Sequence, residues 1–451
     1  MKITFLGAAR EVTGSKYLIE HEDTKILVDC GLHQGDESIE NRNRQAFPID
    51  PSSIDAVVLT HGHIDHSGYI PMLVKKGFTG KIYCSRATYA LVAILLKDSG
   101  FVQEQNAKRA LDEGKGHLAA ATALYTVQDA EKSLTFFESV DYEEAFSIGS
   151  LQVHLIQSFH ILGSSFVIVS DGKETLSFSG DLGRPSQLIM QSPPGLKQTD
   201  FLVLESTYGD KQHPQDDSLK ELAQAVNEVE EKRGVLIIPA FAVERTQLIL
   251  YCLYQLRQKN IIPEIPIFLD SPMATKVTQL VCVFKDEHKV SSELCSNAFN
   301  IATYISTVEQ SKSLDHIVGP AIIIAGSGMA DGGRVLHHFK HFIYDEKNTI
   351  LFVGFQAEGT NGRALVEGAE KIKIDDRWYM VYATIKIINS LSAHADSAEI
   401  LQWLTSLQTS PKKVFLTHGE LQASQALKKK IEDRFGWSVV IPKYLESFDL
   451  D

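Results

Sequence analysis

The 451-residue chain has no apolar run approaching the 18 or more residues of a membrane-spanning helix. Its start, MKITFLGAAREVTG, offers one Lys and then an apolar stretch too short for a signal peptide. Secretion and membrane insertion therefore lose their support. Cysteine is scarce: Cys30, Cys84, Cys252, Cys282 and Cys295 are odd in number and far apart, with no C-x-x-C pair to suggest a redox or zinc-ribbon site. A reducing, cytoplasmic setting is the expectation that follows. Positive charge is also short, with 44 Lys plus Arg against 57 Asp plus Glu and a formal net charge of −13. Without a global basic field, a polyanionic substrate would have to be held by local groups or metal ions. The 44% hydrophobic content excludes disorder, and the length suits two or three domains of roughly 150 residues.

The first two hundred or so residues read as short strands with few helices. Runs such as Lys2 to Leu6, Tyr17 to Glu20, Lys25 to Val28 and Ala56 to Leu59 are β-branched or alternating, and a second series lies within Ser147 to Ile156, Phe166 to Ser170, Thr175 to Ser179 and Phe201 to Leu204. From about residue 215 the rhythm becomes helix, strand, helix, strand. Leu219, Leu222, Ala223, Val226 and Val229 share a helical face, with Asp217 or Ser218 as the cap, and Val235 to Ile238 follows as a buried strand. Such alternation predicts parallel β-α units. After about residue 370 the strand-rich style returns, as it would if one domain were inserted into another.

The strongest chemical signal is Thr60-His61-Gly62-His63-Ile64-Asp65-His66-Ser67-Gly68, directly after an apolar strand. Three imidazoles and a carboxylate crowded into six residues suit divalent zinc, which takes neutral imidazole nitrogen and carboxylate oxygen at close range. Two ions need more ligands than one loop provides, and other strand ends offer them. His160, Asp181 in Ser179-Gly180-Asp181-Leu182-Gly183, and His418 in Leu416-Thr417-His418-Gly419 all occupy that kind of position. His337, His338 and His341 have a spacing that suits a metal too, but surface or packing roles account for them at this level.

Asp29, the H-x-H-x-D-H motif at 61 to 66, His160, Asp181 and His418 together resemble the metal site of the metallo-β-lactamase fold. The rest of the chain is similar to its β-CASP branch of nucleases, which includes the endonuclease of messenger-RNA 3′-end processing. Glu205 in Leu204-Glu205-Ser206-Thr207-Tyr208-Gly209, His394 in Leu391-Ser392-Ala393-His394-Ala395-Asp396, and His418 carry that part of the resemblance. It implies an αββα sandwich in two sequence parts, 1 to 209 and 371 to 451, split by an inserted α/β domain at 210 to 370 with a mainly parallel sheet. The active site is expected where the two domains meet.

By the same resemblance, His61, His63 and His160 would hold one zinc ion and Asp65, His66 and His418 a second, with Asp181 shared between them. Asp29 would orient a ligand, and Asp65, His394 and Glu205 would be the catalytic set, His394 acting as a proton donor. RNA is the implied substrate rather than DNA, because DNA-processing members tend to carry Val where His418 stands. The mode can be endonucleolytic, 5′-to-3′ exonucleolytic or both, and a homodimer is compatible with the chain. One departure is Phe159, which precedes His160 where the family often has Gly. Substrate phosphates are expected at Ser327, Gly328, Gly332 and Gly333, a glycine turn opening a helix, and at Arg245 and Arg363. Residues 210 to 370 carry 15 basic against 21 acidic side chains, so such contacts would be local. A DNA nuclease of the same family, a thioester or lactam hydrolase, and a non-catalytic RNA-binding scaffold are the competing readings.

Overall fold

Strand periodicity with apolar residues on both faces dictates a layered fold, because each face must be covered. The computed structural model describes residues 1–35, 37–112, 122–213, 218–354, 356, 359–388 and 391–451. These divide into two units, Met1–Gln212 with His394–Asp451, and His213–Ala393.

In the first unit, two seven-stranded mixed sheets face each other. One runs Ser447–Asp449, Lys2–Phe5, Tyr17–His21, Thr24–Val28, Ala56–Val58, Lys81–Cys84, Phe137–Ser139 in spatial order. The other runs Val439–Val440, Lys413–Thr417, Phe201–Glu205, Thr175–Phe178, Ser165–Ser170, Leu151–Gln157, Phe146–Ile148. Along Thr24–Val28, Ile26 and Val28 join Phe178, Val203 and Phe415 in the core between the sheets. Leu27, on the other face, packs with Ile70, Leu73 and Val92 from the covering helices. In the same way Leu202, Leu204, Val414 and Leu416 meet Ile400, Leu404 and Leu427 of helices Ser397–Leu404 and Leu421–Phe435. The expected αββα order is the result. The longest of the covering helices, Arg86–Asp112, spans 27 residues.

The second unit is built on a six-stranded, wholly parallel sheet in the order Thr303–Tyr304, Ile267–Asp270, Ala321–Gly326, Val235–Ala240, Thr349–Val353, Thr384–Ile388, with a separate antiparallel pair, Lys371–Ile374 and Arg377–Met380. Asp217, one of the two expected caps, lies outside the described residues, and helix Ser218–Lys232 starts at the other. Thr384–Ile388, beyond the boundary expected at residue 371, pairs with Thr349–Val353 and extends this sheet. Cys282 and Cys295, on helices Pro272–Val283 and Ser292–Phe299, are joined by a disulfide that spacing alone did not suggest. The other three thiols are buried.

Candidate metal centre

Strand direction gathers the ligands. Thr24–Val28 and Ala56–Val58 are parallel neighbours, as are Thr175–Phe178, Phe201–Glu205 and Lys413–Thr417. Asp29, the histidine motif, Asp181, Glu205 and His418 end or follow these strands. His160 follows Leu151–Gln157, whose direction matches theirs through two antiparallel pairings. All therefore meet at one edge of the sandwich in the first unit.

Asp181 stands at the centre. Its Oδ2 lies 3.4 Å from His61 Nε2, 3.4 Å from His160 Nε2 and 4.0 Å from His63 Nδ1. Its Oδ1 lies 3.2 Å from His66 Nε2 and 3.5 Å from His418 Nε2. Asp65 Oδ2 completes the second group at 3.2 Å from His418 Nε2 and 3.8 Å from His66 Nε2. One carboxylate thus presents one oxygen to each of two clusters. His61, His66, His160 and Asp181 are almost fully buried, whereas His63 is 28% and Asp65 17% exposed, so the opening to solvent is on their side.

Hydrogen bonding orients the rings. Asp29 is buried and accepts from Thr60 N, from Thr60 Oγ1 and, at 2.8 Å, from His66 Nδ1. With its single proton directed to Asp29, Thr60 Oγ1 accepts from His61 Nδ1 at 3.0 Å. Thr207 Oγ1 donates to the His418 carbonyl and accepts from His418 Nδ1, each at 3.0 Å. In all three rings Nδ1 is engaged by a protein oxygen and Nε2 faces the carboxylates, the orientation that metal-ligating histidines need. Thr60 and Thr207 were missed by the sequence reading. Their positions, one before the histidine motif and two after Glu205, were the available signal.

The donor set fits metal ions. Both ring nitrogens of His160 and the Oδ1 of Asp181 are buried without a hydrogen bond, a costly condition unless something else binds them. His61 Nε2 shares a 3.0 Å hydrogen bond with His63 Nδ1, and a cation between the two nitrogens would take the place of that proton. Burial lowers His61 to about 4, and burial likewise holds His160 well below the ordinary value, so both rings are neutral and ready to ligate. Asp181 stays ionised: burial opposes its charge, but the surrounding imidazoles hold its carboxyl well below the usual range.

His394 lies beside this centre rather than in either cluster. Its Nδ1 is 3.1 and 3.2 Å from the two oxygens of buried Glu205, and its Nε2 is 3.9 Å from Asp181 Oδ2. Leu182 N donates to Glu205 Oε1, and Ser179 Oγ accepts from Glu205 N, which fixes the carboxylate. Burial disfavours a charged His394, but Glu205 and then Asp181 outweigh it and raise the group to about 9. A proton held at Nε2 at neutral pH is the consequence.

Residues 10–240 match the family model of the Metallo-beta-lactamase superfamily, and residues 246–365 match the Beta-Casp domain. Ribonuclease TTHA0252 of Thermus thermophilus is 36% identical over 99% of this chain and 99% of its own length. The chain belongs to the Beta-Casp branch of the metallo-beta-lactamase superfamily. Transcription termination factor FttA of Methanosarcina mazei, another relative in this branch, is 30% identical over 96% of this chain and 70% of its own length. A third family match, the Zn-dependent metallo-hydrolase RNA specificity domain, covers residues 378–442 and so contains both His394 and His418. A solved protein of unknown function from Enterococcus faecalis V583 shares the fold, with a TM-score of 0.57 at 14% identity and 99% of each chain covered.

Phe159, the departure from the family pattern, has φ 56°, a left-handed conformation that favours glycine. Such strain at a site costs about 1–3 kcal/mol. Phe159→Gly is therefore expected to change the thermal midpoint little, relief of strain offsetting the lost packing of a half-buried ring. Phe159→Val, β-branched in the same conformation, should lower it clearly. Equal midpoints for the two variants would count against strain here.

The expected phosphate contacts fall in the second unit. Ser327 has φ 85°, Gly333 has φ 68° and begins helix Gly333–Phe342, and a Cβ on Gly328 would meet the Phe241 ring at 2.7 Å. Gly332 is extended, and a Cβ there would meet open space. Arg245 is buried, with Nε and Nη1 unbonded and Glu244 Oε2 at 3.6 Å from Nη2. Arg363 is half-exposed and pairs with Glu367 one helical turn on, so its guanidinium is already engaged. Phe355, Ala357 and Glu358, in the segment leading to Arg363, lie outside the described residues.

Proposed function

We propose that this chain is a zinc-dependent ribonuclease that hydrolyses RNA phosphodiester bonds at a two-metal site, in endonuclease mode, 5′-to-3′ exonuclease mode or both. The observation that carries the reading is Asp181, one oxygen toward His61, His63 and His160 and the other toward His66 and His418. The first three histidines would hold one ion and Asp65, His66 and His418 the other, with Asp181 serving both. Bound there, the ions would offset the phosphate charge and bring the pKa of a water toward roughly 7.

The protein's own groups do the rest. Asp29, Thr60 and Thr207 keep the ligand rings in one orientation. His394 holds a proton at Nε2, with Nδ1 anchored on Glu205, and is the donor to the leaving oxygen. Asp65 and His63, at the partly exposed rim, mark where the scissile phosphate enters. RNA as substrate is supported by the ribonuclease among the relatives and by His418 at the position that separates RNA-processing from DNA-processing members. A cytoplasmic location is part of this reading.

The test is to incubate zinc-loaded protein with 5′-labelled and internally labelled RNA, and with matching DNA, and to identify the product ends. RNA cut faster than DNA, dependent on zinc, is expected. Preference for DNA, or hydrolysis of thioesters and lactams alone, would replace this reading with one of its rivals.

Ser327, Gly328, Gly332, Gly333 and Arg245 are proposed to contact the RNA backbone, with Arg363 a lesser contributor because of Glu367. The glycine turn separates binding from folding at adjacent positions. Gly332→Val, whose side chain would enter open space from extended backbone, is expected to raise KM for long RNA severalfold while the thermal midpoint and zinc content stay unchanged. Gly333→Val would strain a left-handed position and should lower the midpoint as well. An unaltered KM for Gly332→Val would remove the turn from the substrate path.

A further inference from the structure

Among the described residues, one cluster of metal-ligating side chains lies apart from the site above, in the second unit. Helix Gly333–Phe342 carries His337 and His341, four residues apart and so on one face. The 3-10 turn Leu314–His316 lays Asp315 against that face. His337 Nε2 lies 2.9 Å from Asp315 Oδ1 and 3.0 Å from Oδ2, and His341 Nε2 lies 3.4 Å from Oδ2. The two imidazole centroids are 5.0 Å apart.

The neighbouring residue shows what a satisfied pair looks like on the same helix. His338, fully buried, donates to Asp270 Oδ2 at 2.7 Å, and Asp270 is completed by Ser311 and Arg334. Asp315 differs. Its Oδ2 is hydrogen-bonded to His337 Nε2 at 3.0 Å, but the side chain is only 9% exposed and Oδ1 is buried without a hydrogen bond of its own. The rings are 31% and 40% exposed, so the cluster is closed on the carboxylate side and open on the imidazole side.

We propose that Asp315, His337 and His341 form a third metal site, for a divalent transition ion of the zinc, cobalt or nickel kind, with water completing the coordination. Two imidazoles and a carboxylate are the donors such ions take, and they exclude the all-oxygen preference of calcium and magnesium. Tetrahedral zinc, with bonds of about 2.0–2.1 Å, sets its ligand atoms about 3.3 Å apart. The separations between each imidazole and the carboxylate already bracket that value. An ion there would also use the buried Oδ1. Burial, the largest influence on His341, lowers its pKa despite the pull of Asp315, which leaves the lone pair available at neutral pH. The ion would clip turn Leu314–His316 to helix Gly333–Phe342, a structural role separate from hydrolysis.

The test uses the full chain, loaded with zinc and freed of excess by gel filtration, then titrated with Zn2+ by calorimetry and counted by elemental analysis. One further saturable ion per chain is expected in the wild type. H337A/H341A should lose it, and D315N should bind it more weakly. Titration of wild type with Co2+ gives a second readout, since three protein ligands and water should produce intense visible bands of a four-coordinate ion. No binding beyond the active-site ions, or the same stoichiometry in H337A/H341A, would overturn the proposal. Featureless Co2+ spectra would do so as well.

Discussion

Asp181→Ala is expected to empty both metal clusters at once and to reduce RNA hydrolysis to background. The reason is electrostatic. Two doubly charged ions held side by side repel, and Asp181 is the carboxylate that faces both positions, with one oxygen toward each cluster. His63→Ala removes a ligand from one cluster only, so it should lower the count toward one ion per chain while still costing activity. The measurement is elemental analysis of each variant in the H337A/H341A background, so that only these clusters are counted. If Asp181→Ala kept a full complement of zinc, the shared role of this residue would be wrong.

The second large effect separates metal binding from proton transfer. His394→Ala should keep its zinc yet lose about 10²-fold or more in kcat, the usual range for a missing general acid. Zinc loss in this variant would instead make His394 a ligand. A pH profile gives an independent reading. As the proposed proton donor His394 would act in its protonated form, and its pKa is raised to about 9, so activity is expected to fall as pH rises through that group's titration. Glu205 is the largest of the influences raising it. Glu205→Gln removes that charge, so the alkaline limb of kcat should move to lower pH. An unmoved limb would mean that another group controls it.

Much of the fold was legible locally because periodicity is a local property. The alternation of Ile26, Leu27 and Val28 between two cores, and the helix–strand rhythm after residue 215, follow from which side of the chain is apolar. The place of the strand after residue 380 was not legible in this way. Thr384–Ile388 reads as a strand in either domain, and only its pairing with Thr349–Val353 assigns it. The Cys282–Cys295 bond was hidden for the same reason, since it depends on how two helices pack.

For the site, the sequence by itself determined the donors: imidazoles and carboxylates at strand ends, in types and spacing that suit zinc. The tertiary structure decided how they divide. His418 reaches Asp65 across 353 positions of sequence because parallel strands deliver their ends to one edge of the sandwich. Which nitrogen each ring presents was decided by Thr60, Asp29 and Thr207, and the pairing of Asp315 with His337 and His341 by the packing of a short turn on a helix. Chemistry is written in residue type, which sequence shows directly. Convergence is written in strand order and helix packing, which join residues that no local pattern links.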